Sequence, residues 1–261
     1  MFDFHLHSSI SFDSQGNPAE MCRAALNRGL WEICFTDHYD YNSDPAITPN
    51  LFTMDAYSAA YDSLTVPGLT IRRGVEYGLT AWNQPHLEQL LNQRKFDFVI
   101  GSIHFVDGCD PYDAEYWMGT SVRDGFAKYL EATLECVRAH SNFDVLGHLT
   151  YVCKSAHNTT HEPVRYEDFR DICDEIMKTL VTKGIGMEIN TSGVDRVGGF
   201  LPSGEFLRRY RELGGEIVTV GSDSHDAVRV GQYIPEALEI LKDIFGHVCT
   251  FENRKPVFHK L

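Results

Sequence analysis

What most limits the fold of this chain is a recurrence. Seven times a short apolar, β-prone run ends in polar residues and gives way to a helical pattern: Phe2–His5, Ile33–His38, Thr70–Glu76, Phe98–His104, Val145–His148, Gly186–Asn190 and Ile217–Asp223. Their last polar residues fall 28 to 44 positions apart, a spacing that suits βα units with loop insertions. Such alternation implies a parallel sheet with right-handed crossovers, and seven units favour a closed or nearly closed barrel. In α/β barrels the working residues sit at the carboxyl ends of the strands, where the βα loops converge on one pocket. The seven polar clusters are therefore expected to share a rim.

No linker, low-complexity run or charge block divides the sequence, so residues 1–261 read as a single domain. Asn17-Pro18 and Gly29 predict a capped helix over 18–28. Ala127, Leu130, Leu134 and Val137 mark the apolar face of a helix starting near Ser121. Phe169, Ile172, Cys173, Ile176 and Leu180 do the same for one ending at Gly184.

Half of the twelve histidines, His5, His7, His38, His104, His148 and His225, fall at or just after these strand ends. Taken singly, each has a bland explanation as a hydrogen-bonded or surface residue. Together with three carboxylates, Asp13, Glu76 and Asp223, they make nine nitrogen and oxygen donors without a cysteine. His5-Leu6-His7 and Asp223-Ser224-His225 each put two donors at i and i+2, which point the same way in an extended chain. Glu76 ends a β-branched run, where a buried charge is costly unless it is paired with Arg72 or Arg73 or bound to metal. The glycines before His104 and His148 permit either close packing or room for an ion.

Nine donors exceed the needs of one ion, since zinc usually takes four, and they suit two or three divalent cations of Zn, Mn or Fe. Three such ions against three carboxylates leave about +3, a match for a phosphate dianion. That local charge matters because the chain is acidic overall, with 23 Lys and Arg against 37 Asp and Glu and a formal charge of −14. Such a balance argues against a nucleic-acid or membrane-surface binder. An N-terminus without a basic, apolar leader and seven scattered cysteines without a C-x-x-C pair lead us to expect a reduced, cytoplasmic protein. The oligomeric state is not readable.

The ordered motifs H-x-H, T-D-H, Glu, G-S-I-H, G-H-L and S-D-x-H, spread from His5 to His225, resemble the polymerase and histidinol phosphatase (PHP) superfamily. The surroundings of His5–Ser8, Gly101–His104, Glu188–Gly193 and Phe251–Pro256 look most like its histidinol-phosphate phosphatase branch. The resemblance implies a distorted (β/α)7, TIM-like barrel with a trinuclear centre. His5, His7, Glu76 and Asp223 would hold one ion; Glu76, as a bridge, with His104 and His148 a second; and Asp13, His38 and His225 a third. Asp13 stands where relatives have histidine, so occupancy of the third position could be partial. The implied reaction is hydrolysis of L-histidinol phosphate, a small phosphate monoester, in histidine biosynthesis. Asp223 or His225 would serve as general acid or base, while Lys154, Arg196 and Arg229, in the right loops, would brace the phosphate. The acidic and aromatic loop Tyr39-Asp40-Tyr41 could meet the substrate's ammonium and imidazole.

Two other readings compete: a phosphoesterase of the same superfamily acting on another monoester or nucleotide, and a metal-binding barrel without turnover. The bare C-x5-R spacing from Cys22 to Arg28 lies in the capped helix and lacks a phosphate loop's glycines, so it is set aside. His157 and His161 would share a helix face, but the intervening Asn and Thr favour a loop.

Overall fold

Each of the seven apolar runs forms parallel sheet in the computed structural model, which describes residues 1–41, 49–155 and 157–261. The strands are β1 (Phe2–Leu6), β2 (Glu32–Phe35), β3 (His38–Asp40), β4 (Thr70–Gly78), β5 (Phe98–Ser102), β6 (Val145–Leu146), β7 (Gly186–Asn190) and β8 (Val218–Gly221). Their order is β1-β2-β4-β5-β6-β7-β8, with β3 pairing onto β4 beyond β2. The run expected over 33–38 is thus two strands laid end to end. β2 pairs with residues 70–73 of β4, β3 with residues 76–78, and the break falls at Thr36-Asp37. There the amide of Glu76 is shared between the carbonyls of Thr36 and Asp37, both at 3.2 Å.

The barrel is nearly closed. Beyond β1 and β8 a parallel bridge joins Leu6 to Ser224, with the His7 amide 2.8 Å from the Ser224 carbonyl. The buried Asp3 carboxylate clasps the same seam, accepting the Ser222 amide on Oδ1 and the Gly231 amide on Oδ2, each at 2.8 Å. This is the distorted seven-unit barrel expected from the sequence.

The helices outside follow their caps. Asn17 accepts the amides of Ala19 and Glu20 to start Pro18–Asn27, Ser121 accepts the amide of Asp124 to start Val122–Ala139, and Gly184 ends Arg170–Lys183 at φ +68°. The buried face of the second runs through Phe126, Tyr129, Leu130, Thr133 and Val137 rather than through Ala127 and Leu134. Thr133 can be buried because its hydroxyl donates to the carbonyl of Tyr129 at 2.9 Å.

A feature outside the repeat closes the other end of the barrel. β9 (His247–Glu252) and β10 (Lys255–Lys260) form an antiparallel hairpin. Phe251 packs on Phe98 at the start of β5, with ring centroids 4.8 Å apart, and Arg254 pairs with Asp144 just before β6. The floor is therefore filled, and the open end is the rim that carries the histidines.

Candidate metal centre

Glu76 is the hub. It lies within the buried stretch of β4, and no arginine reaches it among the described residues: Arg72 pairs with Glu32 and Glu252, and Arg73 is nearest Asp62. Imidazoles surround it instead. Oε2 lies 3.3 Å from His5 Nε2, 3.4 Å from His7 Nε2 and 3.0 Å from His38 Nδ1. Oε1 lies 2.8 Å from His148 Nε2 and 3.3 Å from His104 Nε2, and it accepts the Ser102 hydroxyl at 2.6 Å. Parallel register explains the convergence, since His38 is the direct neighbour of Glu76 across β3 and β4.

Asp223 arrives from the loop after β8, with Oδ1 3.8 Å from His5 Nε2 and 3.4 Å from His7 Nε2. Its backbone adopts φ +53°, rare for a side-chain-bearing residue. Asp13 comes from the loop after β1, with Oδ2 3.5 Å from His38 Nε2 and 3.0 Å from His225 Nε2. The structure thus brings all nine predicted donors into one constellation. His157 and His161 lie outside it in a turn segment, and His86 and His140 in unrelated packing.

Several buried donor atoms here have no hydrogen-bond partner among the described residues: His5 Nε2, His7 Nε2, His38 Nδ1, His148 Nδ1 and Glu76 Oε2. Orphaned buried polar atoms are costly, and the first three converge on the last, Glu76 Oε2. Donor atoms lie within 4.8 Å of one another in the sets His5, Glu76, His148; His5, His7, Asp223; His7, His38, His225; and His38, Asp40, His104. An all-nitrogen-and-oxygen donor set with this spacing fits divalent cations.

The electrostatics agree. Burial disfavours the charged forms, yet Glu188, Glu76 and Asp223 push the His5 ring well above its ordinary value. Burial likewise opposes charge on His104, which Asp40 and Glu76 nevertheless raise to about 10. Glu76, despite its burial, is held well below the carboxylate range by His5, His104 and His38. Asp223 is held well below it too, against burial, by Lys154 and His5. The cage is rich in negative charge and attracts positive charge, either protons or metal.

The rim opens into a cleft of about 680 Å³ lined by Asp13, His38, Asp223 and His225 and also by Lys154, Arg196 and Arg229. Lys154 Nζ donates to Ser192 Oγ at 2.8 Å and Asp223 Oδ2 at 3.1 Å. The Arg196 guanidinium lies 5.3 Å over the Tyr112 ring, and Arg229 pairs with Asp195 at 3.1 Å. Asp110, Tyr112, Asp113 and Tyr151 line the same cleft. The tyrosines expected there from the sequence do not: Tyr39 packs on Phe52 and Tyr77, and Tyr41 stacks on His86. From that loop only Asp40 reaches the site, 3.0 Å from His104 Nδ1.

The glycine readings divide. A Cβ on Gly101 would meet Phe143 at 2.7 Å and Leu79 at 2.8 Å, which is close packing and not room for an ion. At Gly147 it would collide with the Ser102 hydroxyl that reaches Glu76. Sequence reasoning also passed over Glu188, whose Oε1 lies 2.7 Å from His5 Nδ1 while Oε2 accepts the His148 amide at 2.9 Å. A carboxylate inside the apolar run Gly186–Asn190 was the available signal.

Comparison with known proteins agrees with this geometry. The family described as PHP domain matches residues 3–192. A Clostridium acetobutylicum protein named "Probable histidinol-phosphatase" is 31% identical over 258 residues, covering 99% of this chain and 96% of the relative. The histidinol-phosphatase of Lactococcus lactis is 30% identical, covering 97% and 95%. A crystal structure of histidinol phosphate phosphatase from Lactococcus lactis, complexed with zinc, L-histidinol and phosphate, superposes with a TM-score of 0.83 at 27% identity, covering 98% of each chain.

Proposed function

This chain belongs to the PHP domain family, and on that premise we propose that it is a metal-dependent phosphatase hydrolysing L-histidinol phosphate to L-histidinol and phosphate. The observation that carries the reading is the convergence of six imidazoles with Glu76, Asp13 and Asp223 at the foot of a cleft lined by both cations and acids.

In this reading His5, His7, Glu76 and Asp223 hold one divalent ion; Glu76, His104 and His148 a second; and Asp13, His38 and His225 a third. Bound there, zinc, manganese or iron supplies positive charge for the phosphate oxygens and lowers the pKa of a water towards about 7. Lys154, Arg196 and Arg229 meet the remaining phosphate charge from the cleft wall. Asp223 is a candidate to take the proton of the attacking water and return one to the leaving alkoxide, through Oδ2, which accepts from Lys154 Nζ at 3.1 Å and from Ser192 Oγ at 3.0 Å. His225, whose Nδ1 lies 3.0 Å from the carbonyl of Asp223, is the second candidate for that transfer. Asp110 and Asp113, which line the same cleft, are carboxylates available to the substrate's ammonium.

The substrate is a small molecule, and the reaction belongs to histidine biosynthesis. We place it in the cytoplasm, in keeping with seven unpaired cysteines. No helix among the described residues is long and apolar enough to cross a membrane. The test is phosphate release from L-histidinol phosphate against a panel of other monoesters, with bound metal measured. A preference of at least about a hundredfold, roughly 2.7 kcal/mol of differential transition-state binding, is expected. A flat profile would replace the proposal with a broad phosphoesterase, and no turnover with metal bound would leave a binding barrel.

A further inference from the structure

The break between β2 and β3 turns Asp37 into the barrel wall, where it is fully buried beside the site and, among the described residues, its carboxylate hydrogen-bonds none of the nine donor side chains. Its carboxylate collects three hydrogen bonds. Oδ1 accepts the Ser8 amide at 2.7 Å and the Ser11 hydroxyl at 3.0 Å, and Oδ2 accepts the Tyr61 hydroxyl. Behind Tyr61, the Ser8 hydroxyl lies 2.5 Å away and itself accepts the amide of Ile10 at 3.2 Å.

Counting donors at Ser11 fixes more than a contact. A serine hydroxyl has one hydrogen and two lone pairs. The hydrogen goes to Asp37, and one lone pair takes the His38 amide at 3.0 Å. The remaining lone pair faces His7 Nδ1 at 3.0 Å, so the ring nitrogen must be the donor. Nδ1 of His7 then carries the proton, and Nε2 presents a bare lone pair between Glu76 and Asp223.

We propose that Asp37, acting through the Ser11 hydroxyl, is a positioning residue that keeps the His7 proton on Nδ1 and aims Nε2 at Glu76 and Asp223. The two chains of hydroxyls both run towards this one carboxylate, so no member can reverse its donor without leaving Asp37 short of a hydrogen bond. His5 needs no such relay, since Glu188 reaches its Nδ1 directly. At His7 the carboxylate stands one hydroxyl further away, and Ser11 spans the gap. The inference rests on the metal-binding reading above, because it assigns Nε2 to an ion.

Its test uses the full chain loaded with zinc alone. In protein labelled with ¹⁵N-histidine, with the His7 signals assigned from a His7→Gln variant, the wild type should show His7 protonated on Nδ1. Competition with a chelator should show Ser11→Ala holding zinc roughly ten- to a hundredfold more weakly. Asp37→Asn should lie between it and the wild type, and Ser11→Thr, which keeps the hydroxyl, should restore retention. If Ser11→Ala does not fold by its thermal melt, Asp37→Asn carries the comparison. A His7 ring protonated on Nε2 overturns the proposal, as does wild-type zinc retention in folded Ser11→Ala or Asp37→Asn. Turnover of L-histidinol phosphate separates the two readings. Its absence beside the expected tautomer and retention counts against the function alone, and its presence with unaffected variants counts against the relay alone.

Discussion

Around Glu76 the donors are sealed from solvent, whereas at the rim they are not. His5 and His7 are fully buried, and each ring has its second nitrogen tied, one to Glu188 and the other to Ser11. Asp13 and His225 keep about a third of their side chains exposed, at 35% and 31%, although His225 meets Asp13 through Nε2 and the Asp223 carbonyl through Nδ1. The difference teaches how the two regions would treat a cation. The inner one has its geometry set before any ion arrives, so binding loses little to reorganisation. The outer one depends on two loops, those after β1 and β8, so an ion there should exchange more freely.

The sharpest way to break that comparison is at its centre. Replacing Glu76 by Gln removes the one carboxylate shared by five rings, and kcat should fall roughly a thousandfold with bound metal reduced. Elemental analysis beside the phosphate-release assay checks both. Next, Glu188→Gln loosens His5 without touching the hub, and zinc retention against a chelator should drop roughly ten- to a hundredfold. Asp13→Asn tests the outer region. It should cost about one ion per chain and roughly tenfold in kcat while the inner ions stay. Loss of all metal from that variant would show that the two regions are not distinct.

Acidity sharpens the contrast further. His5, His38 and His104 sit above the ordinary imidazole value without metal, burial notwithstanding, because Glu76 and its neighbouring carboxylates favour their charged forms. A ligating imidazole must be neutral, so loading releases protons. Affinity should therefore rise with pH by up to about tenfold per unit for each proton displaced, and fall as pH drops. Calorimetric titration of metal in buffers of different ionisation enthalpy counts those protons. The smallest effect is expected outside the centre. His86→Ala, at a ring stacked on Tyr41, should leave kcat/KM within about threefold, as for a substitution worth about 0.5 kcal/mol.

The barrel and the nine donors were readable because both are local patterns. Runs such as Phe98–His104 announce a strand and its polar end together, and Asn17-Pro18, Ser121 and Gly184 mark helix ends by side-chain and backbone chemistry alone. What escaped depends on contacts between distant parts of the chain. Glu188 orients His5 across 183 residues, and Tyr61 reaches Asp37 across 24, neither of which leaves a periodic trace. The break after Phe35 escaped for a different reason, since Thr36-Asp37 reads as the polar end of one run while pairing onto β4 resumes beyond it at His38. The terminal hairpin carried no donors and fell outside the βα rhythm altogether.

The seam clasped by Asp3 has a consequence for how the molecule comes into being. Asp3 and Ser222 stand 219 positions apart, and the donors on either side of the seam come from the opening and closing βα units. No contiguous fragment holding only one of those units can assemble the centre, and loop-closure entropy makes so distant a junction a late event in folding. Metal uptake would then act as a checkpoint, reporting on a finished barrel and passing over every incomplete one.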